Sequence, residues 1–152
     1  MCKMRSDVLN QNSQHTDWKK KVELIGVART LTEVDSGKEF YLESSGGAFS
    51  ITLPTGGDIE NGVNYKFWVQ ENTPTAAITL AAGSAIVFGK INETEVDTND
   101  DGPGSSADGA TGVSNVILGT SALKGDFIEL DAYGGHWFLN GQSGKDGAVT
   151  TS

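Results

Sequence analysis

The chain has 152 residues, 37% of them hydrophobic, with twenty glycines against three prolines; this suits one domain of short elements joined by many turns, because glycine weakens helices and strands but serves turns. Eleven basic against twenty acidic residues give a net charge of −9, which repels nucleic-acid phosphates and anionic lipid headgroups and excludes both as expected partners. The single cysteine, Cys2, excludes an internal disulfide, and no apolar run approaches the roughly 18 residues of a membrane-spanning helix.

Residues 1–21 are polar and without a clear period, and Asn10 to Gln14 form a run unable to bury enough apolar surface to order itself. A flexible N-terminal arm is expected there. It holds Lys3, Arg5, Lys19, Lys20 and Lys21 against Asp7 and Asp17, net +3, which leaves −12 for the remainder. Met1 to Asn12 lack the apolar segment of a secretory signal, so the expectation is a soluble protein made and kept in the cytoplasm.

From Val22 the texture changes to a single β domain expected over 22–141. Val22, Leu24, Ile25, Val27 and Leu31 make a loosely alternating first strand. In the next segment Phe40 and Leu42 alternate with Glu39, Tyr41 and Glu43 before Gly46-Gly47, and Phe49, Ile51 and Leu53 alternate beyond it. Taken as a two-residue hairpin loop, the glycines set Leu42 opposite Ile51, Phe40 opposite Leu53 and Ser44 opposite Phe49. Val63, Tyr65, Phe67 and Val69 then mark the apolar face of a strand whose other face carries Asn64, Lys66, Trp68 and Gln70. Ile78 to Leu80, Ala85 to Ile91 and Asn115 to Leu118 are shorter strands rich in β-branched residues.

Near the C-terminus Gly134-Gly135 implies a second hairpin, with Leu130 opposite Leu139, Ala132 opposite Trp137 and Ile128 opposite Gly141. Eight or nine strands at turn-punctuated spacing predict an all-β fold, an antiparallel β-sandwich or jelly roll with the flexible arm at its start. An Asp/Gly-rich insertion is expected over 93–114, and a loose Gly/Ser/Thr-rich tail over 142–152.

Catalytic chemistry finds little support in the residues. The only histidines are His15 in the arm and His136 beside a turn, and Gly141 to Lys145 satisfies neither a phosphate-loop nor a serine-elbow spacing. Glu39, Glu43, Glu129 and Asp131 lie on strand faces where paired carboxylates can work, but the solvated face of their strands is the expected reading. No enzyme is expected. The run Asp97 to Gly102 matches Asp-x-Asn-x-Asp-Gly, so Asp97, Asn99, Asp101 and Asp108 are the candidate calcium ligands, with a plain acidic spacer as the alternative. No other cofactor is expected. Candidate partner-binding residues are Trp18 with Lys19, Lys20 and Lys21, which combine apolar area and charge, and Trp68 on the polar face of its strand.

The order of motifs carries a resemblance. Leu31 to Leu42, Thr52-Leu53-Pro54, Gly62 to Val69, Gly125 to Leu130 and Gly135 to Gly141 together resemble a β-rich module of tailed-bacteriophage structural proteins, found in small capsid decoration proteins and in head or tail fibres. The resemblance covers about residues 30–141. It implies a capsid decoration or cement protein on the outer surface of the virion, bound to the major capsid protein and commonly a homotrimer. A receptor- or glycan-binding module of a fibre or adhesin is the alternative it leaves open. The long Asp-rich insertion and the basic arm depart from the simpler modules.

Overall fold

A computed structural model describes residues 19–56, 59–94 and 112–152. Among them are eleven strands and one three-residue 3-10 turn at Glu33–Asp35, so the chain is nearly all β. The strands are β1 (Val22–Ile25), β2 (Arg29–Thr30), β3 (Glu39–Leu42), β4 (Phe49–Thr52), β5 (Asn64–Val69), β6 (Ile78–Ala81), β7 (Val87–Glu93), β8 (Asn115–Leu118), β9 (Phe127–Tyr133), β10 (His136–Ser143) and β11 (Val149–Thr151).

Two sheets form, one of six strands in the order β1-β3-β5-β9-β10-β7 and one of five in the order β11-β8-β6-β4-β2. From β1 to β8 each strand lies in the sheet opposite its predecessor. Parallel neighbours need a crossover connection, and here a strand of the other sheet supplies it, so β1, β3 and β5 run parallel in one layer while β2, β4 and β6 run parallel in the other. Pairing is therefore mixed, which corrects the expectation of an antiparallel fold.

The hairpin expected at Gly46-Gly47 does not form. β3 pairs with β1 and β5, and β4 pairs with β2 and β6. Leu42 and Ile51 are both buried, as expected, but belong to different sheets. Alternation shows that a strand has a buried face and is silent about which strand lies beside it. The turn between them is pinned by Ser44, whose hydroxyl donates to Glu71 Oε2 at 2.9 Å and accepts the Thr75 N–H at 2.9 Å.

The second hairpin has the expected register, with Leu139 opposite Leu130, Trp137 opposite Ala132 and Gly141 opposite Ile128. The segment 142–152, expected to be a loose tail, instead contributes strand residues 142–143 and 149–151 to the sheets. β10 continues to Ser143, and β11 pairs antiparallel with β8 and buries Val149. Ala148 and Val149 are the only apolar residues of that segment, and edge pairing lets so short an apolar pair dock.

The inner faces of both sheets share one core. Phe40 stacks on Phe67 at 5.4 Å between ring centroids, and Tyr65 packs on Trp137 at 5.4 Å. Burying each such side chain stabilises by roughly 1.5–3 kcal/mol. Their polar atoms are paired, Tyr65 Oη donating to Thr32 O at 2.7 Å and Trp137 Nε1 to Pro54 O at 3.2 Å. Both bonds tie the six-stranded sheet to segments beside the five-stranded one.

β1 and β2 end their respective sheets, and an ionic network joins them. Arg29 pairs with Glu23 and reaches Asp35 Oδ1 at 3.0 Å, while Lys38 Nζ lies 2.6 Å from Asp35 Oδ1 and 3.3 Å from Glu23 Oε2. Burial raises the Asp35 carboxyl, but hydrogen bonds from Lys38 and the Thr32 N–H outweigh it and hold the group below its ordinary value.

Candidate partner-binding face

The outer face of the six-stranded sheet is organised in cross-strand rows. One row runs Val22, Glu39, Lys66, Glu129, Asn140, Lys90 across β1, β3, β5, β9, β10 and β7. The adjacent row runs Leu24, Tyr41, Trp68, Phe127, Gln142, Asn92 over the same strands. On the other side of the charged row lie Asn64, Asp131, Phe138 and Phe88, across β5, β9, β10 and β7.

Three of the four charges of the middle row are paired, Lys66 with Glu129 and Glu39 with Lys20 from outside the row, while Lys90 at its end is exposed and forms no ion pair among the described residues. Lys66 Nζ lies 2.6 Å from Glu129 Oε1, and Asn140 Nδ2 donates to Glu129 Oε2 at 3.1 Å. Lys66 also sits 4.4 Å from the Trp68 ring centroid and 4.5 Å from that of Phe127; each such cation–π contact stabilises by about 0.5–1 kcal/mol at a partly exposed site. Glu39 accepts from Lys20 through one oxygen and from Trp68 Nε1, at 3.2 Å, through the other. The Lys20 hydrogen bond holds the Glu39 carboxyl below its ordinary range despite burial, and the Lys66 hydrogen bond does the same for Glu129. Both carboxylates are thus held in the charged form as salt-bridge partners.

Lys90 and Asp131 remain as unpaired charges among the described residues, and beside them the face exposes apolar area. Leu24 is 58% exposed, Tyr41 37%, Phe138 47% and Tyr133 67%. Two shallow clefts indent it, one of about 360 Å³ beside Lys20, Glu39, Lys66 and Asp131, the other of about 350 Å³ between Tyr41, Trp68, Gln70 and Lys124.

Of the residues expected to bind partners, Lys20 and Trp68 are brought together on Glu39. Lys19 and Lys21 are exposed beside them, and the Lys21 carbonyl accepts the Glu39 N–H at 2.9 Å. Trp18 and the calcium candidates Asp97, Asn99, Asp101 and Asp108 lie outside the described residues. Among the described residues no group of three His, Cys, Asp or Glu side chains is placed to hold a metal ion. His136 packs edge-on against Phe88 at 5.4 Å. Ser143, in the segment that superficially suggested a phosphate loop, is fully buried in β10 and donates to Asp126 Oδ2 at 3.1 Å.

Sequence reasoning placed Trp68 outward but missed Leu24, Tyr41 and Phe127 as its row. Their alternation with Ile25, Leu42 and Ile128 was the available signal for facing; neighbourhood required the strand order. No protein-family profile matches the chain, and no curated protein matches its sequence.

Proposed function

We propose that this chain is a non-catalytic structural protein of a bacteriophage virion, a decoration or cement protein that binds the outer surface of the capsid through the six-stranded face. The observation that carries this reading is the apolar row Leu24-Tyr41-Trp68-Phe127, laid across four strands beside the Lys66–Glu129 and Lys20–Glu39 ion pairs. Such a surface is broad and shallow, suited to a macromolecular partner, whereas small-molecule sites are concave and enclosing. In this reading the two sheets are the layers of a β-sandwich, the major capsid protein is the partner, and the working form is a homo-oligomer, a trimer by resemblance. The order of sequence motifs supports the viral assignment.

A glycan-binding module is less well supported. Sugars stack on open aromatic faces, and here Lys66 already lies over the rings of Trp68 and Phe127.

Co-sedimentation with undecorated capsids of the source phage tests the reading. Saturable binding is expected for the wild type, with at least tenfold weaker binding, corresponding to about 1.4 kcal/mol, for the Tyr41→Ala, Phe138→Ala double variant, which is expected to stay folded by circular dichroism. Absence of binding by the wild type overturns it.

A further inference from the structure

The open side where β1 and β2 end their sheets carries two patches of opposite character. The first is the lead-in to β1. Lys19 and Lys21 are exposed and form no ion pair among the described residues, and Val22 beside them is 61% exposed. The second is a groove of about 700 Å³ walled by Leu31, Val34, Leu53 and Pro54, with Glu33 and Glu60 on its rim. Val34 is 89% exposed, and the Glu60 N–H donates to Glu33 Oε1 at 3.2 Å, which holds the two acidic residues side by side. Neither carboxylate has an ion-pair partner among the described residues.

We propose that in assemblies of this chain the Lys19–Val22 segment of one copy seats in the Glu33/Glu60 groove of the next. The inference rests on reading the chain as an assembling module. The segment cannot simply fold back: Lys20 and Lys21 are tied to Glu39 of the six-stranded sheet, whereas strand residues Thr30 and Thr52 of the five-stranded sheet line the groove. A second copy matches the groove in both respects that matter. Lys19 and Lys21 neutralise the two rim carboxylates, and Val22 covers Val34 and Pro54, so apolar area left exposed on each copy is removed from water. On a body whose residues 22–152 carry net −12, this acidic groove is complementary in charge to Lys19 and Lys21. Because the two patches differ, the contact is head-to-tail, and it terminates only by closing a ring; each copy then donates one segment and accepts one. Ring closure turns a contact too small to hold two copies into a stable assembly.

The test uses the full chain and charge reversal at both patches, with sedimentation velocity as the readout and thermal melting as the check on folding. The Lys19→Glu, Lys21→Glu variant and the Glu33→Lys, Glu60→Lys variant are each expected to weaken association by at least about tenfold, and more so at low salt. The quadruple variant, in which the signs are exchanged, is expected to restore the oligomer. A wild type that remains at 16.0 kDa, either reversal leaving association unchanged, or a folded quadruple variant that stays dissociated overturns the inference. If association is untouched and the Lys19/Lys21 reversal instead abolishes capsid binding, the segment docks on the particle and the inference falls while the proposed function stands. If the sign exchange behaves as expected but the wild type ignores capsids, the failure belongs to the proposed function alone.

Discussion

Trp68 donates its indole N–H to Glu39 Oε2 at 3.2 Å, and the other oxygen of that carboxylate accepts from Lys20. One nearly buried acid thus joins the segment entering the first strand to the aromatic row of the outer face. Its pKa is lowered in the folded state, first by the Lys20 hydrogen bond, so its stabilising contribution is present above the unfolded value of 4.5 and is lost as pH falls through the lower, folded value. Glu39→Gln is expected to melt below the wild type at pH 7, with the difference vanishing in strong acid. Equal differences at all pH values would mean that packing, and not charge, is what the glutamate supplies.

Glu93 is expected to respond in the opposite direction. It is buried at the end of β7, accepts the Gly147 N–H at 3.2 Å and faces the Asp146 carboxyl. Burial first, and Asp146 second, raise its pKa, so its stabilising contribution is complete below the unfolded value of 4.5 and is lost as pH rises through the folded one. Glu93→Gln keeps an acceptor for Gly147 and removes the buried charge. It should melt above the wild type at pH 7 and level with it near pH 4, as followed by thermal denaturation across that range.

Neighbouring residues of β3 should differ sharply. Leu42 is 1% exposed in the shared core, and Leu42→Ala is expected to cost about 2–5 kcal/mol in chemical denaturation. Tyr41 points outward, and Tyr41→Ala should cost about 1 kcal/mol or less. Similar losses at both positions would contradict the sidedness of the strand, and with it the outer face.

Two glycines separate close approach from turn conformation. Gly89, at φ 138°, lies against β10, where an added Cβ would stand 2.0 Å from the Leu139 carbonyl oxygen. Gly134, at φ 62°, has open space around it. Gly89→Ala should therefore prevent folding or cost more than about 3 kcal/mol, and Gly134→Ala only about 1 kcal/mol, by the same denaturation measurement. A well-folded Gly89→Ala protein would argue against the parallel pairing of β7 with β10.

The parts of this fold legible in the sequence are those carried by local pattern. Phe40, Leu42, Ile51, Leu53, Ile128, Leu130, Trp137 and Leu139 are all buried as the alternation predicts, and the Gly134-Gly135 hairpin has the expected register because its two strands are adjacent in sequence. The Gly46-Gly47 segment has the same local pattern and a different outcome. Residues facing each other across a core satisfy alternation as well as residues paired within a sheet, and parallel pairing is set by contacts distant in sequence. The outer face of the six-stranded sheet follows the same division: Trp68 was outward by parity, but its place between Tyr41 and Phe127 depends on β3 and β9 flanking β5. Val149 escaped notice because two apolar residues in a Gly/Ser/Thr-rich stretch give no period.

The most direct measurement of the assignment is an image reconstruction of the source particle at a resolution that traces strands. Two-layered density at every equivalent position of the outer shell is expected, with Leu24, Tyr41 and Phe138 of the six-stranded sheet turned toward the capsid protein. Density confined to a few copies at a fibre tip, absent from the particle, or seated with that face toward solvent would contradict it.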